Sequence, residues 1–352
     1  MYIILAIIAF GILIAVHELG HFSAAKLLGV KVNEFAIGMG PKLLKKQGKE
    51  TLYTLRALPF GGFCSMEGEN ENSEDARSFT AQKRWRRVVI LAAGGIANFL
   101  VCFIIILIVV LQMQGFVNTT ISELADGFPN AGEQGLMVGD TIVSVNGERL
   151  YYVDDFSMFI QLAKNGQVDL VVRRDGKTIA LPSFQLLRHN YMTDGQMMYR
   201  YGISFGAIPA TIGEKLKYSG YMMMNYVRLI RVSLAQIISG AAGVRDLSGP
   251  VGIVDAMNNI GRAAPTFGAA LDSIASFMAF IGVNLAVVNL LPIPAMDGGR
   301  IIFLFITWAI EKLIRRRLDP KYEGYIHAGA LVVLVCFMAF ILVNDVMKIV
   351  HG

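Results

Sequence analysis

Apolar and polar positions divide this 352-residue chain into four long hydrophobic stretches separated by segments of very different character. A helix needs about 20 residues to cross a bilayer. The first stretch covers roughly residues 2–25, and the second, 88–113, reads VVILAAGGIANFLVCFIIILIVVLQM. The third, 273–292, is interrupted by LLPIPAMDGG (290–299) and resumes to about 310, and the fourth runs from 325 to 346. The pattern predicts a polytopic α-helical membrane protein with four transmembrane helices. Its two halves, 1–113 and 267–352, form one membrane core with other structure inserted between them.

The segments between spans carry their own patterns. ETLYTLRALPFGGFCSM (50–66) has strand-favouring residues broken by Pro59 and a Gly61–Gly62 turn, which predicts a membrane-associated β-hairpin. ENENSEDARS (69–78) predicts a polar loop. Further on, GLMVGDTIVSVNGERL (135–150) combines a Gly–Asp turn, an alternating strand over 141–145 and an Asn146–Gly147 hairpin signal. A helical stretch over 154–164 and the hairpin VDLVVRRDGKTIAL follow. Residues 119–205 are thus predicted to form a small α+β domain resembling a bacterial PDZ domain, present once. Residues 213–265 predict amphipathic juxtamembrane helices; their Met222–Met224 run suits a lipid interface or core packing, or the lining of a substrate groove.

Composition supports the membrane assignment. Charged residues make up 17% of the chain, against about 25% in average soluble domains. The net charge is +5, and Lys and Arg crowd into 26–87 and 312–321, whereas acidic and basic residues balance over 113–266. Basic excess beside membrane spans marks the cytoplasmic side, so the clusters are a topology signal and imply no nucleic acid partner. Four spans then put both termini and the 119–205 domain outside the cytoplasm, with Arg315–Arg317 as an inner anchor. Residues 2–16 lack a basic leader and a small-residue cleavage motif, so the first span is expected to be retained. Cys64, Cys102 and Cys336 lie far apart and form neither a disulfide framework nor a zinc spacing.

The chemistry sits in AVHELGH (15–21), at the end of the first span. Ionisable groups at membrane depth are costly and default to functional sites. His17 and His21 are four residues apart, so on a helix they share one face and can bind one metal ion, with Glu18 placed as a general base. A zinc hydrolase needs a third protein ligand and an open position for water. Glu34, Glu50 and Glu67 are available downstream, but the stronger candidate is Asp297 in NLLPIPAMDGGR (289–300). An Asp there also suits a helix cap. Spans one and three run in the same direction in this topology, so His17, His21 and Asp297 can meet at one depth. Zn²⁺ with two neutral His, one Asp and one Glu sums to zero formal charge, which a low dielectric tolerates. His189, His327 and His351 have no partners at ligand spacing and are expected at a surface or an interface.

HELGHFSAAK, FAIGMGP (35–41), GGIAN (94–98), the PDZ-like domain, LSGPVGI (247–253) and NLLPIPAMDGG occur in the order seen in the site-2 proteases, and the chain resembles that family over nearly its whole length. The resemblance is to the bacterial branch of these intramembrane zinc metalloproteases, which cleaves membrane-anchored anti-sigma factors. It implies one zinc ion held by His17, His21 and Asp297, with Glu18 activating water and Asn289 positioning substrate or stabilising the oxyanion. It also implies a bacterial cell-membrane location with the active site near the cytoplasmic side. The implied partners are single-span substrates, anti-sigma factors or signal-peptide remnants, already trimmed by a site-1 protease, together with membrane lipid. Gly95 stands where many relatives have Pro, Met39 where Phe is frequent, and proteobacterial relatives carry a second PDZ domain.

Substrate recognition is expected to involve Asn98 and Asn289 as hydrogen-bonding groups, and the Pro59, Gly61, Gly62 segment as an edge to which an extended peptide adds. Two other classes fit parts of the pattern. A metal transporter would use the His/Asp cluster for permeation, but has no role for Glu18. A non-catalytic scaffold would use the PDZ-like domain, but leaves the intramembrane cluster unexplained.

Overall fold

In the computed structural model, the described residues are 2–69, 73–163, 166–193, 196–241, 243, 249–315 and 321–351. Four helices among them are long and apolar enough to cross a membrane: α1 (Tyr2–Leu27), α2 (Arg84–Leu111), α6 (Phe267–Leu290) and α8 (Lys321–His351). Between the last two, α7 (Asp297–Ile314) is a separate helix, so the third apolar stretch breaks completely at the prolines. The chain divides into two compact units, one of residues 1–109 with 222–352 and the other of 110–221.

Exposure follows helical spacing in the first unit. Ile4, Ile8 and Ile12 on α1, and Ile96, Leu100, Ile104 and Ile108 on α2, form outward apolar stripes four residues apart, as lipid-facing surfaces do. The opposite face of α1 buries Leu13, His17, His21 and Ala25 at the same spacing. Small residues bring the helices close. A Cβ at Gly20 would lie 2.4 Å from the Ala93 carbonyl oxygen, and one at Gly282 of α6 would lie 2.3 Å from Cys102 Sγ of α2. A hydrophobic cluster of Ala25, Val30, Val32, Cys64, Met66, Phe79, Ile90, Leu91 and Leu304 joins the C-terminal end of α1, the N-terminal part of α2 and the middle of α7 to a small sheet.

That sheet corrects the expected hairpin. β1 (Val32–Gln47) pairs with β2 (Leu52–Met66) across a turn at 48–51, so the hairpin within 50–66 does not form. Both strands bend where glycines take positive φ, at Gly38 and Gly40 in β1 and Gly61 in β2. Residues 32–37 consequently face 62–66 on one side (Phe35 opposite Cys64) and 52–55 on the other (Phe35 opposite Tyr53), while Leu44 lies opposite Leu55. Gly61 and Gly62 belong to the bend and to the strand beyond it, not to a turn between partners. The side chain of Pro59 lies outside the described residues.

Two helices follow the second unit. α4 (Ile212–Ile238) starts within that unit, and α5 (Pro250–Ala263) belongs to the first. Of the LSGPVGI motif, 247–248 lie outside the described residues, as do Arg316 and Arg317 of the basic anchor. Gly249 starts α5, and the buried Asp345 carboxylate of α8 accepts hydrogen bonds from the Gly249 and Gly252 amides at 3.1 and 2.9 Å.

The second unit carries a sheet of six strands. β3 (Gly115–Leu124), β4 (Thr141–Val145), β6 (Gln167–Arg174), β7 (Lys177–Gln185) and β10 (Ile203–Pro209) take the order β10-β3-β4-β6-β7, and β5 (Glu148–Arg149) pairs β4. β8 (His189–Thr193) and β9 (Gln196–Arg200) form a separate hairpin, and α3 (Val153–Gln161) follows β5. Asn146–Gly147 and Asp175–Gly176 all have positive φ, as two-residue hairpin turns require. Arg174 makes two 2.7 Å hydrogen bonds to the buried Asp140 carboxylate.

Candidate active site

α1 supplies two imidazoles one turn apart on its buried face, both only 7% exposed. Nδ1 of His21 lies 2.8 Å from the carbonyl oxygen of Ile90 on α2. A carbonyl only accepts, so the N–H is on Nδ1, and in the neutral ring Nε2 carries the lone pair. Nε2 of His21 and Nε2 of His17 are 3.2 Å apart, and each is 3.2 Å from Oδ2 of Asp297. Asp297 opens α7, and its position depends on the two glycines that follow. A Cβ on Gly298 would be 2.2 Å from the Leu290 carbonyl oxygen, and one on Gly299 would be 2.1 Å from that of Ile293. The helix therefore begins directly beneath the backbone of the proline loop.

Three donor atoms at mutual distances of 3.2 Å match the base of a tetrahedron around zinc, whose ligand bonds of about 2.0–2.1 Å put neighbouring donors about 3.3 Å apart. Two imidazole lone pairs and a carboxylate oxygen aimed at one another repel unless a cation lies among them. Among the described residues this is the one group of three or more His, Cys, Asp or Glu with metal-binding geometry. The residues thus fit a zinc ion. A hydrogen bond from the second nitrogen of a ligating His to a carbonyl is a usual support for such a site, and Ile90 provides it for His21.

The other expected residues divide. Nδ2 of Asn289, at the end of α6, is 3.3 Å from His17 Nε2, inside the cluster. Glu18 interacts electrostatically with His17, His21 and Asp297, and its Cγ is 3.2 Å from where a Cβ on Gly62 would be. The absence of a side chain at Gly62 is what lets β2 reach the carboxyl-bearing side chain. Gly61 packs on the Met39 side chain instead. Asn98 is fully buried, and neither amide atom has a hydrogen-bond partner among the described residues. Glu34, Glu50 and Glu67, the alternative third ligands, are engaged elsewhere: Glu34 with Arg56 and Lys42, Glu50 with Lys26 and Arg77, Glu67 with Lys31.

Gly94 of α2 was not singled out by its sequence context, yet it forms the floor of the cluster. A Cβ there would lie 2.4 Å from His21 Nε2 and 2.8 Å from His17 Cε1. Gly94, Asn98 and Cys102 share one face of α2 at four-residue spacing, and Cys102 meets Gly282 of α6. The hints in the sequence were the GGIAN motif (94–98) and a Gly–Gly pair inside a lipid-length helix, where close packing is one of several readings.

The family model described as Peptidase family M50 matches residues 5–337. The chain belongs to peptidase family M50. This is the site-2 type of zinc metalloprotease, and the membership excludes the transporter and scaffold classes. Similar full-length proteins are named as zinc metalloproteases in Clostridium perfringens (36% identical, 98% of each chain covered) and Clostridium acetobutylicum (36%, covering 98% of this chain and 97% of the relative). The regulator of sigma-W protease RasP of Bacillus subtilis is 27% identical over 99% of this chain and 98% of its own. The four apolar helices and M50 membership together make this a multi-pass membrane metalloprotease, and the zinc dependence of the family suits the two-imidazole, one-carboxylate triangle.

Proposed function

We propose that this M50 protease hydrolyses peptide bonds within transmembrane segments of single-span membrane proteins, using zinc held by His17, His21 and Asp297. The observation that carries the reading is the 3.2 Å triangle of Nε2, Nε2 and Oδ2 atoms on helices at membrane depth, with Glu18 beside it. When bound, zinc supplies Lewis acidity that polarises a carbonyl and lowers the pKa of a water to about 7. Glu18 takes the proton from the attacking water and delivers it to the leaving amine. The Asn289 amide, already within 3.3 Å of His17 Nε2, holds the substrate carbonyl or the oxyanion that grows on it.

A transmembrane helix hides its peptide bonds, so the substrate must be unwound and held extended. Residues 62–66 of β2 pair with 32–37 alone among the described residues, which leaves their outer edge to receive a strand, and Gly62 brings that edge to Glu18. Asn98, buried and without a hydrogen-bond partner among the described residues, is a second group for the unwound backbone.

The basic excess of segments 26–87 and 312–321 supports an orientation with the zinc end of the core towards the cytoplasm and residues 119–205 and both termini outside. The outer domain reads as PDZ-like and limits entry to substrates shortened by an earlier site-1 cleavage. The name of RasP ties that relative to sigma-factor regulation, which favours an anti-sigma factor as substrate here; remnants of signal peptides present the same chemistry. The test is reconstitution of wild type and Glu18→Gln in liposomes with zinc and a single-span substrate. Wild type cleaves within the span and the variant does not; cleavage by Glu18→Gln would overturn the mechanism.

A further inference from the structure

The loop that carries Asp297 into the site contains a residue in an unfavourable conformation. Met296 donates its backbone N–H to the Ile293 carbonyl at 3.1 Å, closing a four-residue turn whose central residues are Pro294 and Ala295. Ala295 has φ +74°. Proline followed by positive φ is the type II turn, in which glycine is the favoured second residue because a Cβ is disfavoured there. With alanine in that position the ordinary choice is type I, which proline accepts equally well. The two turns differ by a flip of the 294–295 peptide plane, which reverses the direction of the Ala295 N–H.

That N–H is the one the turn itself leaves unused, and it has a partner. Nδ1 of His327, on α8, accepts it at 3.0 Å. The imidazole packs against Phe303 on α7 in a T-shaped arrangement, with ring centroids 5.8 Å apart. The bond is part-buried, and an amide that loses its acceptor in such a place is disfavoured, so the histidine favours the peptide orientation that alanine by itself would not. The consequence reaches the site directly. Asp297 lies two residues beyond Ala295, and Gly298 and Gly299 sit against the carbonyls of Leu290 and Ile293 with no room for a Cβ. A flipped peptide displaces the start of α7, and with it Oδ2 of Asp297.

We propose that His327 is a positioning residue for the metal site: by accepting the Ala295 N–H it holds the proline loop in a type II turn and so sets the Asp297 carboxylate against His17 and His21. The inference rests on the assignment of these three residues as zinc ligands. It gives a role to a histidine that has no ligand spacing, and it makes residue 295 and residue 327 thermodynamically dependent on each other.

The test is a rescue experiment read by zinc affinity, measured by chelator competition on detergent-purified full-length protein, alongside kcat for a single-span substrate. His327→Ala leaves a space in which water can satisfy the amide, so residue 295 then decides the turn. The single variant is expected to bind zinc about ten-fold or more weakly, the range seen when outer supports of a metal site are lost. Adding Ala295→Gly, which favours positive φ without help, is expected to restore most of that affinity and the kcat with it. A merely structural role for His327 predicts a drop in melting temperature that the glycine does not repair. Zinc affinity unchanged in His327→Ala, or a double variant no better than the single, would overturn the proposal. Wild-type protein that binds no zinc would instead bring down the ligand assignment beneath it.

Discussion

Gly94 and His21 are packed so closely that a methyl group on the glycine would reach Nε2 of the histidine at 2.4 Å. Carbon and nitrogen in van der Waals contact sit at about 3.5–4.0 Å, so no side chain fits. The glycine face of α2 and the histidine face of α1 are complementary parts of one site.

Gly94→Ala is therefore expected to eliminate zinc binding while leaving the protein in the membrane fraction. Metal content of purified protein by mass spectrometry is the measurement. The added methyl pushes Nε2 out of the 3.2 Å triangle, and overpacking of this kind costs about 1–3 kcal/mol. Wild-type metal content in Gly94→Ala would show that the close approach has no bearing on the site.

Gly62 separates recognition from metal binding. A Cβ there would lie 3.0 Å from the Ala36 carbonyl oxygen and 3.2 Å from Glu18 Cγ, so Gly62→Val is expected to move β2 away from the base. Zinc content should match wild type, while kcat/KM for a single-span substrate falls by roughly ten-fold or more, the scale on which misplaced reacting groups lose rate. Equal loss of metal and activity would place Gly62 in the packing of the site rather than at its substrate edge.

Acid should loosen the sheet from the helices in a defined order. Hydrogen bonds from Lys26 and Arg77 hold the Glu50 carboxyl down at about 2, and those from Ser73, Asn33 and Lys31 hold Glu67 there too. A carboxyl with a lowered folded-state pKa contributes its full stabilisation above the unfolded value of about 4.3, and the contribution is lost as the pH falls from there towards about 2. Hydrogen-exchange protection over residues 30–67, corrected for the intrinsic exchange rate at each pH, is expected to fall through that window. In Glu50→Gln the part due to this carboxyl is already absent at neutral pH, so the acid-dependent change shrinks. Wild-type protection that stays flat between pH 5 and 2 after that correction would contradict the assignment.

The spans were legible because hydrophobic length is a local property: α1, α2, α6 and α8 fall where the apolar stretches are. Turn chemistry was equally local, and Asn146–Gly147 and Asp175–Gly176 are the turns their residue types announce. The four-residue spacing of His17 and His21 was legible for the same reason, and the structure brings Asp297 to the same two imidazoles. What failed was long-range pairing. Gly61 has the positive φ that suggests a hairpin turn, but it bends one strand whose partner begins some thirty residues earlier, at Val32. Gly94 was hidden because its importance comes from a side chain on another helix. His327 was set aside for lacking ligand spacing, and spacing is uninformative for a side chain whose partner is a backbone amide.

The central claim is that one zinc ion is held by His17, His21 and Asp297 with Glu18 outside its coordination, and X-ray absorption at the zinc edge of the Glu18→Gln protein tests it most directly. The account predicts one zinc per chain, two imidazole ligands and oxygen donors at about 2.0–2.1 Å, with binding lost in Asp297→Ala. A sulfur shell at about 2.3 Å, or zinc retained unchanged in Asp297→Ala, would contradict it.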